Sequence, residues 1–228
     1  MKISSRQNPW FKRIREAIRQ HGHEIVIEGP KPVADAIAAG WTPIKVVTRD
    51  AGFASDIFDA LAETKSPQNV IGLFHRPSTT LDRLFVRDSS IVIALDGVQD
   101  PGNVGTIVRL AAAFDANGIA LLHGCADVFG PKAIRSSAGA ILTVPVVTCS
   151  MDELLARGWP IVAAGTRGEI ADPPAQRAVL AFGSEGSGLS PALANAARTI
   201  AIRMSPRIES LNVASSAAIL LARSYALR

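Results

Sequence analysis

Ser90-Ile-Val-Ile-Ala-Leu-Asp-Gly-Val-Gln-Asp-Pro-Gly-Asn-Val-Gly-Thr-Ile-Val-Arg109 reads as an apolar strand, a polar turn and a helix start. Asp100-Pro-Gly-Asn103 is turn chemistry. Asn103 can cap the helix, whose apolar face is Val104, Ile107, Val108, Ala111 and Phe114. The same grammar recurs twice downstream. Phe182-Gly-Ser-Glu-Gly-Ser-Gly-Leu-Ser190 leaves one apolar run, and Ile202-Arg-Met-Ser-Pro-Arg-Ile-Glu-Ser-Leu-Asn-Val213 leaves another. Further strands are expected at Gly118–Leu122, Leu142–Val147, Pro160–Ala164, Ala178–Phe182 and Thr199–Ile202. Near-continuous apolar strands separated by helices predict a parallel α/β sheet covered on both faces. Ligands of such sheets bind outside the carboxyl ends of the strands. Three loops of this kind therefore predict one composite pocket.

Upstream lies a smaller α/β pattern. A basic helix is expected from about residue 4 to 20, capped by Ser4 or Ser5, with Trp10, Ile14, Ala17 and Ile18 as its apolar stripe. Strands follow at Glu24–Glu28, Ile44–Thr48 and Asn69–Phe74, with a short helix at Pro32–Ala39. The polar stretch after His75 reads as a linker. The expected division is an N-terminal domain at 1–76, a linker at 77–88 and a larger domain at 89–228.

The chain has 228 residues, 48% of them hydrophobic, and a net charge of +4. Its charge is uneven. Lys2, Arg6, Lys12, Arg13, Arg15 and Arg19 face a single acid, Glu16, with Trp10 and Phe11 among them. Basic segments with embedded aromatics can clamp phosphates and stack on bases. Cys125 and Cys149 lack metal or redox spacing, and the four histidines are scattered, His21 and His23 flanking a glycine. No metal is expected. No apolar run approaches the roughly 20 residues of a membrane span, and the N-terminus lacks a signal-peptide core. A reducing cytoplasm is the default compartment.

The second loop excludes familiar phosphate chemistry. Gly183 and Gly188 have Walker-like spacing, but Leu189 stands where the lysine belongs and Glu185 would repel a phosphate. The glycines permit close backbone approach to a ligand. Glu185 suits a ribose hydroxyl or an arginine. Arg109, six residues beyond Asn103, sits about 240° around the helix. It is either a surface or ion-paired arginine, with Glu185 as a candidate partner, or a group with chemical work. Glu209 or Ser210 can cap the last helix, expected from Ser210 to Leu227. Asn212 is then expected inside its first turn, with an amide available to another loop or a substrate. Ile202, Met204 and Leu211 supply an apolar wall for a flat base.

The three loops, in this order from about Ser90 onward, resemble the three signature motifs of the SpoU/TrmH family. Those enzymes are S-adenosylmethionine-dependent RNA ribose 2′-O-methyltransferases of the SPOUT superfamily. Ser4-Ser-Arg-Gln-Asn-Pro9 and Ile27-Glu-Gly-Pro-Lys31 resemble the small substrate-binding domain that precedes the catalytic one in many members, with a fold like certain ribosomal RNA-binding proteins. The resemblance implies a trefoil-knotted α/β catalytic domain, an obligate homodimer and S-adenosylmethionine as cofactor. It assigns Gly183, Ile202 and Leu211 to cofactor binding, to which Met204 and Gly188 are added. It assigns Arg109 as the catalytic arginine, with Asn103, Glu185, Ser210 and Asn212 around the reaction centre. Lys132 and Arg135, in Pro131-Lys-Ala-Ile-Arg-Ser-Ser-Ala-Gly139, join Lys12, Arg13 and Arg15 as expected RNA contacts. Arg203 replaces a frequent proline, a tolerable departure because its neighbours contribute backbone.

Methyl transfer to a ribose hydroxyl needs in-line alignment and help with the departing proton. Arginine is normally always protonated, so electrostatic stabilisation by Arg109 is favoured over literal base catalysis. Ribosomal RNA is preferred to transfer RNA as substrate. The rival from another class is a non-catalytic RNA-binding or ribosome-assembly protein that keeps the fold.

Overall fold

The computed structural model describes residues 3–20, 22–61 and 68–228. Lys2 and His21 lie outside them. The chain divides into two compact units, 1–77 with 129–134 and 78–128 with 135–228.

The smaller unit contains α1 (Pro9–Gln20), β1 (Glu24–Glu28), α2 (Pro30–Ala38), β2 (Pro43–Thr48), α3 (Ser55–Asp59) and β3 (Val70–His75). Its antiparallel sheet has the order β1-β3-β2. α1 starts later than its basic run suggested. Pro9 has no N–H to lose and disfavours helix before it, and Asn8 Oδ1 accepts the Trp10 N–H at 2.9 Å. Asn8 therefore does the capping expected of Ser4 or Ser5. Phe11, Ile14 and Ala17 turn inward onto Val47, Phe53, Phe58, Ile71 and Leu73. α2 packs on β1 and β3. Segment 129–134, expected in the larger domain, belongs to this unit. Trp41 meets Phe74 and Phe129 edge-on, at 6.4 and 5.9 Å between ring centroids.

The larger unit contains β4 (Val92–Asp96), α4 (Pro101–Ala113), β5 (Gly118–Leu121), β6 (Val146–Thr148), α6 (Met151–Leu155), β7 (Ile161–Gly165), β8 (Val179–Gly183), α7 (Pro191–Ala196), β9 (Arg198–Ala201) and α8 (Val213–Ala226), while α5 (Pro131–Ser137) runs across the division between the units. All six strands pair in parallel, in the order β6-β5-β4-β8-β7-β9. Every residue of β4 and β5 is buried, as a sheet covered on both faces requires. The chain winds from β4 outward through β5 and β6, then fills the other side. The order therefore reverses between β4 and β8, the kind of place where open α/β sheets leave a crevice. α4 and α8 pack together.

The linker expectation at 77–88 needs correction. Leu81–Phe85 is a 3-10 turn, and Leu81 and Leu84 are buried in a core shared with Val92, Ala94, Val179 and Ala181. Two leucines spaced three apart meet on one side of a 3-10 helix. The stretch is polar on average, but its apolar minority docks. A unit cut at 88 would lose both side chains from the core.

Candidate active site

A cleft of about 590 Å³ opens at the carboxyl ends of β7 and β8 and along the segment after β9. Such a volume suits a ligand the size of a nucleoside derivative. Gly183, Gly188, Glu185, Ile202, Met204, Ser210, Leu211 and Asn212, separated by up to 29 positions in the chain, all line it. Arg109 does not line it and stands exposed on α4.

Each loop is shaped by local chemistry. In the first, Asp100 rather than Asn103 caps α4. Its Oδ1 accepts the N–H groups of Gly102 at 2.6 Å and Asn103 at 3.1 Å, and Pro101 occupies a first-turn position that needs no N–H. The Asn103 side chain is left to reach outward. In the third, the cap of α8 is Asn212, not Ser210 or Glu209. Asn212 Oδ1 accepts from the Ala214 and Ser215 N–H groups at 2.9 and 3.3 Å. Asparagine is a poor interior residue and a strong cap, so the helix starts after it.

The second loop is a tight reversal. Ser184 and Gly188 exchange backbone hydrogen bonds of 2.9 and 3.0 Å, and Gly188 has φ +70°. A Cβ on Gly183 would lie 2.3 Å from the Gly188 carbonyl carbon and 2.6 Å from Leu189 N. Gly183 is thus glycine because the loop's own backbone folds onto it.

Three polar residues join the loops. Asn103 Nδ2 donates to Glu185 Oε1, and Asn212 Nδ2 donates to Asn103 Oδ1 at 3.2 Å. A carboxylate can only accept. It orients the Asn103 amide, which orients the Asn212 amide, whose oxygen is left for the helix N–H groups. Glu185 is occupied in this way, and Arg109 forms no ion pair or hydrogen bond among the described residues. The arginine–Glu185 pair considered from sequence is absent.

Sequence reading missed the loop after β7. Ala164, Gly165, Thr166 and Arg167 also line the cleft. Its signal was a strand end followed by Gly165-Thr-Arg-Gly168. Among the described residues Arg167 is the one cation in the lining, and Glu185 the one acid. The cysteines are unsuited to nucleophilic work. Burial raises the Cys125 thiol, and burial followed by the Glu153 charge pushes Cys149 up to about 11.

The basic helix also departs from expectation. Phe11 is 2% exposed and cannot stack on a base. Arg13 is tied to Glu24 through Nε at 3.0 and 3.1 Å, a bond that raises its pKa, and it lies 5.4 Å over the Trp10 ring. Lys12 and Arg15, with Arg6 and Arg19, surround a groove of about 560 Å³. None of these four has a hydrogen-bonding or ionic partner among the described residues. Lys132 and Arg135 are exposed on α5.

The SpoU rRNA Methylase family model matches residues 90–222. The chain is 30% identical to the 23S rRNA (uridine(2479)-2′-O)-methyltransferase of Streptomyces viridochromogenes, over 89% of this chain and 83% of that one. It is 29% identical to the 23S rRNA (guanosine(2553)-2′-O)-methyltransferase RlmP of Bacillus subtilis (strain 168), over 93% and 92%. The crystal structure of an AdoMet-bound rRNA methyltransferase from Sinorhizobium meliloti superposes with a TM-score of 0.90 at 26% identity, over 100% and 98%.

The glycine geometry makes a local prediction. Gly183→Ala should open the 184–188 reversal and speed amide exchange at Ser184 and Gly188. Gly186→Ala, which meets nothing within 4 Å, should leave both amides protected. Equal protection in the two variants would contradict the backbone contact.

A strand-to-loop cleft, three joined loops and a match to the family model along 90–222 lead to one statement: the chain belongs to the SpoU rRNA methylase family.

Proposed function

We propose that this protein transfers a methyl group from S-adenosylmethionine to a ribose 2′-hydroxyl of RNA, with ribosomal RNA as substrate. The observation that carries the proposal is the hydrogen-bonded junction by which Asn103, itself outside the cleft lining, joins Glu185 and Asn212, which line it. The names of the Streptomyces and Bacillus relatives, both 23S rRNA 2′-O-methyltransferases, support ribosomal RNA. The cofactor bound in the Sinorhizobium structure supports S-adenosylmethionine.

The cleft's residues fit that cofactor. Ile202, Met204 and Leu211 form an apolar wall for a flat base, and the turns after β7 and β8 complete the lining. Arg167 suits a carboxylate and Glu185 a hydroxyl or a cation. No residue of the lining offers the lysine of a phosphate loop. When bound, the cofactor supplies a methyl group on a good leaving group.

Asn103 and Asn212 hold the rim at fixed hydrogen-bond polarity, so a ribose placed there meets defined donors and acceptors. Ser210, also in the lining, adds a hydroxyl. Arg109 lies outside the cleft wall, its guanidinium unpaired among the described residues, where it meets the RNA chain. It stabilises charge developing on the 2′-oxygen and orients a neighbouring phosphate. Arg109→Ala should lower methyl transfer by about 10²–10³ while calorimetry finds unchanged cofactor affinity. A wild-type rate would make the residue structural.

RNA capture falls to the smaller unit. The cations open to phosphate are Arg6, Lys12, Arg15 and Arg19, whereas Arg13 is spent on Glu24. Removing one cation that neutralises a phosphate should reduce the slope of log affinity against log salt by roughly 0.7–0.9. Gel shifts across a salt series should therefore show a weaker, flatter dependence for Arg6→Glu with Arg19→Glu. Arg13→Gln should keep the wild-type slope. The reverse ranking would assign capture elsewhere, to Lys132 and Arg135 first.

A trefoil knot, a homodimer and a cytoplasmic location belong to the same reading by family likeness. α8 exposes Ile219 and Tyr225, with Leu227 just beyond it, apolar surface that a second copy would cover. Light scattering should report twice the chain mass; an active monomer would exclude the dimer. Among the described residues no helix is long and apolar enough to cross a membrane.

A further inference from the structure

We propose that Asp96 is a positioning residue that clamps the glycine-rich loop of the cleft at both of its ends, and thereby holds the cofactor surface in its binding shape. The proposal rests on the reading that S-adenosylmethionine occupies this cleft.

Asp96 is the last residue of β4 and is 7% exposed. It does not line the cleft, so it does not touch the ligand. Its backbone is in register with Gly183, where the loop leaves β8. Its side chain reaches the other end: Oδ2 accepts the Ser190 N–H at 2.6 Å. Residues 184–189 thus span between a strand position in register with Asp96 and a residue held by the Asp96 carboxylate. Within the span, the ties are the Ser184–Gly188 bridge, the Ser184 and Ser187 contacts, and the bond from Asn103 on α4 to Glu185. These ties shape the turn but do not anchor its far end to the sheet.

Burying a carboxylate is costly without partners, and a charge-assisted bond to a backbone N–H is among the stronger hydrogen bonds. The Ser190 hydroxyl is buried with no hydrogen-bond partner among the described residues and does not cap α7. The N–H is therefore the polar tie of Ser190 to the sheet. Leu189, one residue earlier, belongs to the cleft wall. Releasing Ser190 lets that wall and the reversal before it drift from β8.

Four variants separate the clamp from a general structural role. Asp96→Ala removes the acceptor, and Asp96→Asn keeps an acceptor without the charge. Ser190→Pro removes the N–H together with the hydroxyl that Ser190→Ala controls for, and Ser190 already has φ −60°, proline's own value. Ser190→Ala removes the partnerless hydroxyl. In ligand-free protein, amide exchange over 184–189 should rise in Asp96→Ala and Ser190→Pro, rise less in Asp96→Asn, and stay at wild type in Ser190→Ala. Calorimetry should show S-adenosylmethionine bound about tenfold more weakly, or worse, in the first two. The rate at saturating cofactor and RNA should stay within about twofold, because no group touching the reactants is lost. If Asp96→Ala does not fold, Ser190→Pro decides. Unchanged exchange and affinity in Ser190→Pro would overturn the clamp, as would Ser190→Ala matching its damage. Absence of S-adenosylmethionine binding in the wild type would instead remove the cofactor reading, while the exchange comparison still judges the clamp.

Discussion

The carboxylate of Glu185 orients the rest of the site. As a group that only accepts, it dictates which end of the Asn103 side chain faces it, and that choice passes to Asn212 and into the first turn of α8. One direction of donation runs from a helix N-terminus through two amides to an anion. The helix end carries partial positive charge, so both ends of the chain favour the same polarity. Three loops far apart in sequence are thereby locked into a single arrangement, and a ligand at the rim meets fixed donors and acceptors.

The sheet beneath makes that junction possible. Parallel strands place all their carboxyl ends on one side, and loops leaving β4, β8 and β9 emerge as neighbours. Two glycines then set how tightly the middle loop can turn. Gly188 supplies a left-handed backbone, and Gly183 gives its neighbour room. The charges of the smaller unit follow a separate logic. Arg13 is neutralised by Glu24 and leans on Trp10, while the cations around the groove have no such ionic partner among the described residues. A basic run contains both paired and unpaired cations among the described residues, and only the partners distinguish them.

The sequence by itself determined the parallel α/β class, because buried strands are long apolar runs and helices keep their own period. Five of the six strand positions of the larger unit and the three loops were legible for that reason, while the strand expected at Leu142–Val147 starts only at Val146, after a 3-10 turn at Ala140–Leu142. So was the absence of phosphate-loop chemistry, which Leu189 and Glu185 decide locally. Tertiary structure decided what depends on partners distant in the chain. Phe11 looked available for stacking until the sheet buried it. Leu81 and Leu84 looked like linker until a core received them. Asn103 looked like the cap of its helix until Asp100 took that role, and Asn212 looked like a first-turn residue until the helix start made it the cap. The loop after β7, with Arg167, became part of the site through its neighbours. Pattern and propensity act within a few residues, whereas burial and hydrogen-bond pairing are settled only when the chain closes on itself.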